Sequence, residues 1–119
     1  MKNVQVHDMT AREFKNNNNY VAIDLETTGV KLSRDKIIEV GLVKVEGGHV
    51  KDTFSCIINP GIEVNEDILK LTGISKKEIV NAVYIEDVIE YIEDFCKGFD
   101  LLGHNTVFDY AFIKKEANK

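Results

Sequence analysis

Between residues 20 and 58 the chain alternates apolar and polar side chains with a period of two, in runs parted by short breaks. That pattern confines it to a sheet. Val21, Ile23 and Leu25 alternate with Ala22, Asp24 and Glu26, which makes a strand beginning at Tyr20 with one apolar face and an acidic end. Thr27-Thr28-Gly29 breaks it. A second strand follows over about residues 36–45, dense in Ile and Val. Gly47-Gly48 then turns the chain into a third strand over about residues 49–58, which Asn59-Pro60-Gly61 stops. Connections this short imply an antiparallel meander.

The period then changes to that of a helix. Asn65 and Ser75 are N-cap candidates, and Ser75-Lys76-Lys77-Glu78 has capping-box spacing. The longest helical pattern covers residues 85–97, where Val88, Ile89, Ile92, Phe95 and Cys96 recur on one face and Gly98 closes the run. Residues 100–103 read as a short fourth strand, and residues 107–117 as a last helix. The order β-β-β-α-β-α, with the fourth strand reached through a helical crossover, predicts an α/β mixed sheet with flanking helices. Residues 1–19 show little periodicity and end in an asparagine run at 16–19. They read as a flexible lead-in to a domain at 20–119.

Composition narrows the functions open to such a chain. At 119 residues it holds one core. Its apolar runs fall short of the roughly 20 residues that span a bilayer, and residues 1–8 are too polar for a secretory signal. A cytoplasmic location without membrane contact is expected. Cys56 and Cys96 lie far apart with no Cys or His at ligand spacing, which excludes a structural zinc site and predicts two reduced core thiols. The net charge of −5 opposes any nucleic-acid contact made through counterion release. Divalent cations resolve that tension, because acidic groups then serve as ligands.

Asp24 and Glu26 are two apart on one strand and so share a face, their Cα atoms roughly 6.5–7 Å apart. Carboxylates so placed raise one another's pKa unless a cation intervenes, and hard oxygen donors suit Mg²⁺ or Mn²⁺. By spacing alone, an exposed acidic strand end is the commoner explanation. The whole string Asp24-Leu25-Glu26-Thr27-Thr28-Gly29 tips the balance, because it resembles the first signature of the DnaQ-like (DEDD) exonuclease family, the proofreading nucleases of replicative polymerases and their relatives. His104-Asn105-Thr106-Val107-Phe108-Asp109 resembles the second. Lys36-Ile37-Ile38-Glu39-Val40-Gly41, Ile58-Asn59-Pro60-Gly61 and Leu71-Thr72-Gly73-Ile74 match intervening words of that family.

The resemblance implies a ribonuclease H-like fold: three antiparallel strands, a fourth parallel to the first, and flanking helices. It implies a 3′–5′ exonuclease that releases nucleoside monophosphates from single-stranded 3′ ends, DNA in proofreading or RNA in a trimming relative. Asp24, Glu26 and Asp109 would be the catalytic carboxylates and the ligands of two divalent cations, Mg²⁺ or Mn²⁺. The Thr27-Thr28-Gly29 turn, Leu71, His104, Asn105 and Phe108 would meet the terminal nucleotide, and polymerase subunits would be partners. Phe108 reads equally as core, the turn equally as a plain strand end. Read by itself, Thr106-Val107-Phe108-Asp109 is also a capping box, which would make Asp109 a mere helix cap. Glu39 reads as structural.

The family's third signature, a His or Tyr general base preceding a fourth aspartate, is not met, since residues 110–119 contain neither His nor Asp. The His104 to Asp109 spacing imitates it, but Asn105 and Phe108 mark that segment as the second. The fold therefore reads as C-terminally incomplete. Apolar surface on the fourth strand and last helix would lie open, inviting dimerisation through an exposed sheet edge. A non-catalytic remnant that binds a cation or a partner protein is the alternative expectation.

Overall fold

The computed structural model describes residues 6–8 and 18–119. Strands β1 (Val6–Asp8), β2 (Tyr20–Thr27), β3 (Ile37–Glu46), β4 (His49–Ile57) and β5 (Asp100–Gly103) form one sheet in the order β1-β5-β2-β3-β4. The three alternating runs pair as the expected meander, β2 antiparallel to β3 and β3 antiparallel to β4. The fourth expected strand, β5, lies parallel to β2 through Val21↔Leu101 and Ala22↔Leu102. Gly47 and Gly48 occupy the two-residue turn between β3 and β4 with φ of 60° and 80°. Both positions demand left-handed backbone, which glycine adopts without a Cβ penalty.

Alternation along β2 divides its side chains between two environments. Val21, Ile23 and Leu25 join Val40, Leu42 and Leu101 in the main core. Two helices cover it, α3 (Ile89–Cys96) through Ile92, Phe95 and Cys96, and α4 (Thr106–Ala117) through Phe112 and Ile113. The opposite face carries Ala22, Asp24 and Glu26, which pair in register with Val43, Gly41 and Glu39. A smaller cluster of Tyr20, Val45 and Leu102 fills the far end of that face. Two short helices, α1 (Glu66–Thr72) and α2 (Lys76–Val80), follow β4 and pack over Ile38. Their caps are those the sequence marks. Asn65 Oδ1 accepts from Asp67 N at 2.8 Å, and Ser75 and Glu78 exchange both capping-box bonds at 3.0 Å. No helix among the described residues is long and apolar enough to cross a membrane.

Several expectations need correction. The lead-in contributes a strand: β1 pairs in parallel with β5 from Val6↔Leu101 to Asp8↔Gly103. Three residues are too short for periodicity to register. That pairing occupies the edge expected to stand open on the fourth strand, and Leu101, Leu102, Phe112 and Ile113 are all buried. The apolar surface that would have invited dimerisation there is covered. Within the asparagine run, Asn18 O accepts from Gly48 N at 2.9 Å and Asn19 Oδ1 from Gly47 N at 2.8 Å. These two residues buttress the β3–β4 turn and are not free linker; residues 16 and 17 lie outside the described residues. The helix expected over 85–97 is interrupted. A 3₁₀ turn at Ile85–Asp87 precedes α3, because Val88 has φ −125° and leaves the helical path. Asp87 Oδ2 ties that turn to Tyr84 N at 3.2 Å.

Candidate functional site

Where β2, β3 and β5 meet the start of α4, the structure leaves a cavity of about 380 Å³. Asp24 and Asp109 both line it, together with His104, Asn105 and Phe108. Ala22, Gly41, Leu102 and Gly103 form its floor and wall, with Ile23 and Leu25. Asp24 and Asp109, 85 positions apart in sequence, thus converge because β5 runs parallel to β2 and hands the chain to α4 beside Asp24.

Close approach at this junction depends on Gly103. A Cβ there would stand 2.7 Å from Ile23 O and 3.1 Å from Thr106 Oγ1. The sequence reading missed Gly103, and also Gly41, whose Cβ would make an ordinary 3.5 Å contact with Asp24 O. No chemical motif marks either residue; only the packed distance shows what they do.

Asp109 is buried at 6% exposure in the first turn of α4, where the helix dipole favours negative charge. The helix starts at Thr106, one residue earlier than expected, with Asn105 as N-cap and no side-chain cap bond. Asp109 N bonds to Asn105 O at 3.1 Å, as an interior helical N–H does. Thr106, fully buried against the Gly103 turn, is inside the helix. Asp109 thus sits in the first turn of α4 and lines the cavity from there.

Asp24 is exposed on the sheet face, and Glu26, one pleat further on, is half-buried outside the cavity lining. Partial burial pushes the Glu26 carboxyl above the usual range, and the charges of Asp24 and Glu39 push it further. Glu39 stands directly opposite Glu26 in register, so like charges face each other across the ladder. Among the described residues, no three His, Cys, Asp or Glu side chains stand close enough to hold an ion as they are.

The remaining candidates divide. Phe108 lines the cavity and also packs on the core, its ring 4.8 Å from that of Phe112. His104 and Asn105 are exposed at the rim. Leu71 stands on α1 at 82% exposure, away from the lining. Thr27, Thr28 and Gly29 leave β2 beyond the cavity, and their groups are largely committed. Thr28 N donates to Lys36 O at 2.8 Å, and Thr27 Oγ1 donates to Gly29 O at 2.6 Å. Thr28 Oγ1 donates to Asp35 Oδ1 at 3.0 Å and accepts from Lys36 N at 3.0 Å. Of the two thiols, Cys96 is buried and pushed up to about 12 by desolvation, and Cys56 is half-buried and also raised; both are free.

Comparison with known proteins bears on this geometry. The model of an exonuclease family, RNase_T, matches residues 21–119. The chain is 42% identical over 100 residues to the DNA polymerase III PolC-type of Caldanaerobacter subterraneus subsp. tengcongensis, covering 84% of this chain and 7% of that protein. It is 38% identical over 96 residues to that of Clostridium perfringens, covering 81% and 7%. The chain thus spans about 7% of the length of these curated relatives. Among solved structures, apo Exonuclease I superposes with a TM-score of 0.74 at 16% identity, over 85% of this chain and 24% of that one. Exonuclease X in complex with 5′ overhanging duplex DNA superposes at 0.64 and 24%, over 78% and 52%. At such identities these two speak for the fold, the ribonuclease H-like mixed sheet.

Proposed function

The chain belongs to the RNase_T exonuclease family, and from that premise we propose that it is a 3′–5′ exonuclease module acting on the 3′ ends of single-stranded DNA. Its setting is proofreading beside polymerase III-type subunits, as the names of its relatives suggest. The observation that carries the reading is the shared cavity, to which β2 brings Asp24 and α4 brings Asp109 from opposite sides.

The donor set suits Mg²⁺ or Mn²⁺. Asp24, Glu26 and Asp109 are hard oxygen donors; Glu26 is raised first by burial and then by the charges of Asp24 and Glu39, and a dication would relieve the charge part. These three residues would hold two cations. When bound, the cations supply an activated water and neutralise charge on the phosphate and the leaving 3′ oxygen. The chain's own groups position the substrate. Asp109 keeps its place because the first turn of α4 is packed beneath it, while the exposed Asp24 stands where solvent and substrate enter. Phe108 offers a ring face to the last base, a contact indifferent to sequence. His104 and Asn105 flank the scissile end; Leu71 and the Thr27-Thr28-Gly29 turn lie outside the cavity lining and would meet only a substrate that extends beyond it.

A second reading is a module without turnover, since among the described residues no three carboxylates stand close enough to share an ion as they are. Gel analysis of 5′-labelled single-stranded DNA with Mn²⁺ separates the two, with RNA run in parallel and Asp24→Ala as control. Stepwise shortening from the 3′ end that Asp24→Ala abolishes supports the proposal. Mn²⁺ binding without cleavage supports the second reading, and trimming of RNA alone moves the substrate to RNA. Cleavage undiminished by Asp24→Ala refutes the site.

A further inference from the structure

The loop that leaves β2 after Glu26 is exposed from Val30 to Arg34, yet it winds around a carboxylate only 4% exposed, that of Asp35. Asp35 Oδ2 accepts from Lys31 N at 2.8 Å, and Oδ1 from Thr28 Oγ1 at 3.0 Å; Arg34 lies at 3.6 Å. Gly29 leaves room for this carboxylate, since a Cβ at Gly29 would fall 2.5 Å from Oδ2. The loop is in turn bound to α4. Lys115 Nζ donates to Leu32 O at 2.5 Å and to Asp35 O at 3.1 Å, and lies 5.4 Å from the Phe112 ring centroid.

A surface lysine ordinarily keeps its ammonium in water, and ordering its side chain costs rotamer entropy. Here it is spent joining two particular elements. One end of the tie is the loop that continues β2, the strand of Asp24 and Glu26. The other is α4, the helix of Asp109. We propose that Lys115, seated on the Asp35-centred loop, is a positioning residue for the carboxylate set: its clasp sets the spacing between β2 and α4 and thereby the affinity for divalent cations. This rests on the cation-binding reading above and adds to it a group that touches neither cation nor substrate.

The test is Mn²⁺ titration of the full chain, with free Mn²⁺ read by electron paramagnetic resonance and melting measured separately in EDTA. Lys115→Met keeps the apolar stem and removes the donors; Lys115→Arg keeps donors. Lost hydrogen bonds from a charged donor predict Mn²⁺ binding weakened about tenfold or more in Lys115→Met, with Lys115→Arg recovering to within about threefold of wild type. Unchanged binding in Lys115→Met, or equal weakening in both variants, overturns the clasp. Asp24→Ala identifies which idea has failed. If it abolishes binding while Lys115→Met does not affect it, only the clasp is wrong. If Asp24→Ala binds Mn²⁺ as wild type does, the cation-site reading is wrong and the clasp falls with it.

Discussion

Gly103→Ala tests the junction on which the cavity depends. The new Cβ would stand 2.7 Å from Ile23 O and 3.1 Å from Thr106 Oγ1. A carbon normally approaches a carbonyl oxygen no closer than about 3.3 Å, so β5 must retreat by roughly 0.6 Å. Ile23 O cannot yield instead, because it belongs to β2, held between β3 and β5. Overpacking of this kind costs about 1–3 kcal/mol, and the reduced freedom of the unfolded chain returns about 0.4–1 kcal/mol. The net loss is about 1–2 kcal/mol, or roughly 4–8 °C in Tm for a domain of this size. Retreat of β5 also carries Asp109 away from Asp24, so Mn²⁺ affinity falls with stability. Gly41→Ala is the matched control, since its Cβ meets Asp24 O at an ordinary 3.5 Å; it melts at or slightly above wild type. Thermal melts and Mn²⁺ titrations of both variants decide the matter. A Gly103→Ala protein that melts within 1 °C of wild type, by the same scale, and binds Mn²⁺ equally refutes the account of the junction.

Glu26→Gln raises the Tm of the cation-free protein at pH 7. Glu26 is raised in the folded state by burial and by its acidic neighbours, so its favourable contribution is complete below its unfolded pKa and is lost as pH rises through the folded value. Melts in EDTA between pH 4 and pH 7 should show the gain of Glu26→Gln growing with pH from near zero; a gain independent of pH contradicts this. Iodoacetamide at pH 8 should modify native Cys56 slowly and spare Cys96, whose thiol is buried and raised to about 12. Mass spectrometry checks this, with Cys96 labelled only after unfolding. Equal labelling of both thiols in the native protein contradicts the packing of α3.

Strong local signals made much of the architecture readable in one dimension. Val21, Ile23 and Leu25 had to face a core, Gly47-Gly48 admitted only a tight turn, and Ser75 with Glu78 announced a helix start; all three appear as expected. What escaped was non-local or too short to leave a period. Three residues of β1 complete the sheet without any alternation to betray them. Asn18 and Asn19 looked like linker because their partners, Gly48 and Gly47, lie in a turn almost 30 residues away. At the site, the motif words located Asp24 and Asp109, but not the start of α4 one residue earlier than expected. Asp35 and Lys115 carry no chemical signature at all. Their pairing exists only once α4 lies against the loop after β2.

The central claim is that Asp24, Glu26 and Asp109 jointly hold divalent cations. Anomalous diffraction from crystals of the chain soaked in Mn²⁺ examines it directly. The account predicts manganese peaks in the cavity between β2 and the start of α4, with Asp24 and Asp109 both within about 2.5 Å of metal and Glu26 drawn in from its present position. Ordered density for all three side chains with no peak among them, or manganese bound only elsewhere, contradicts it.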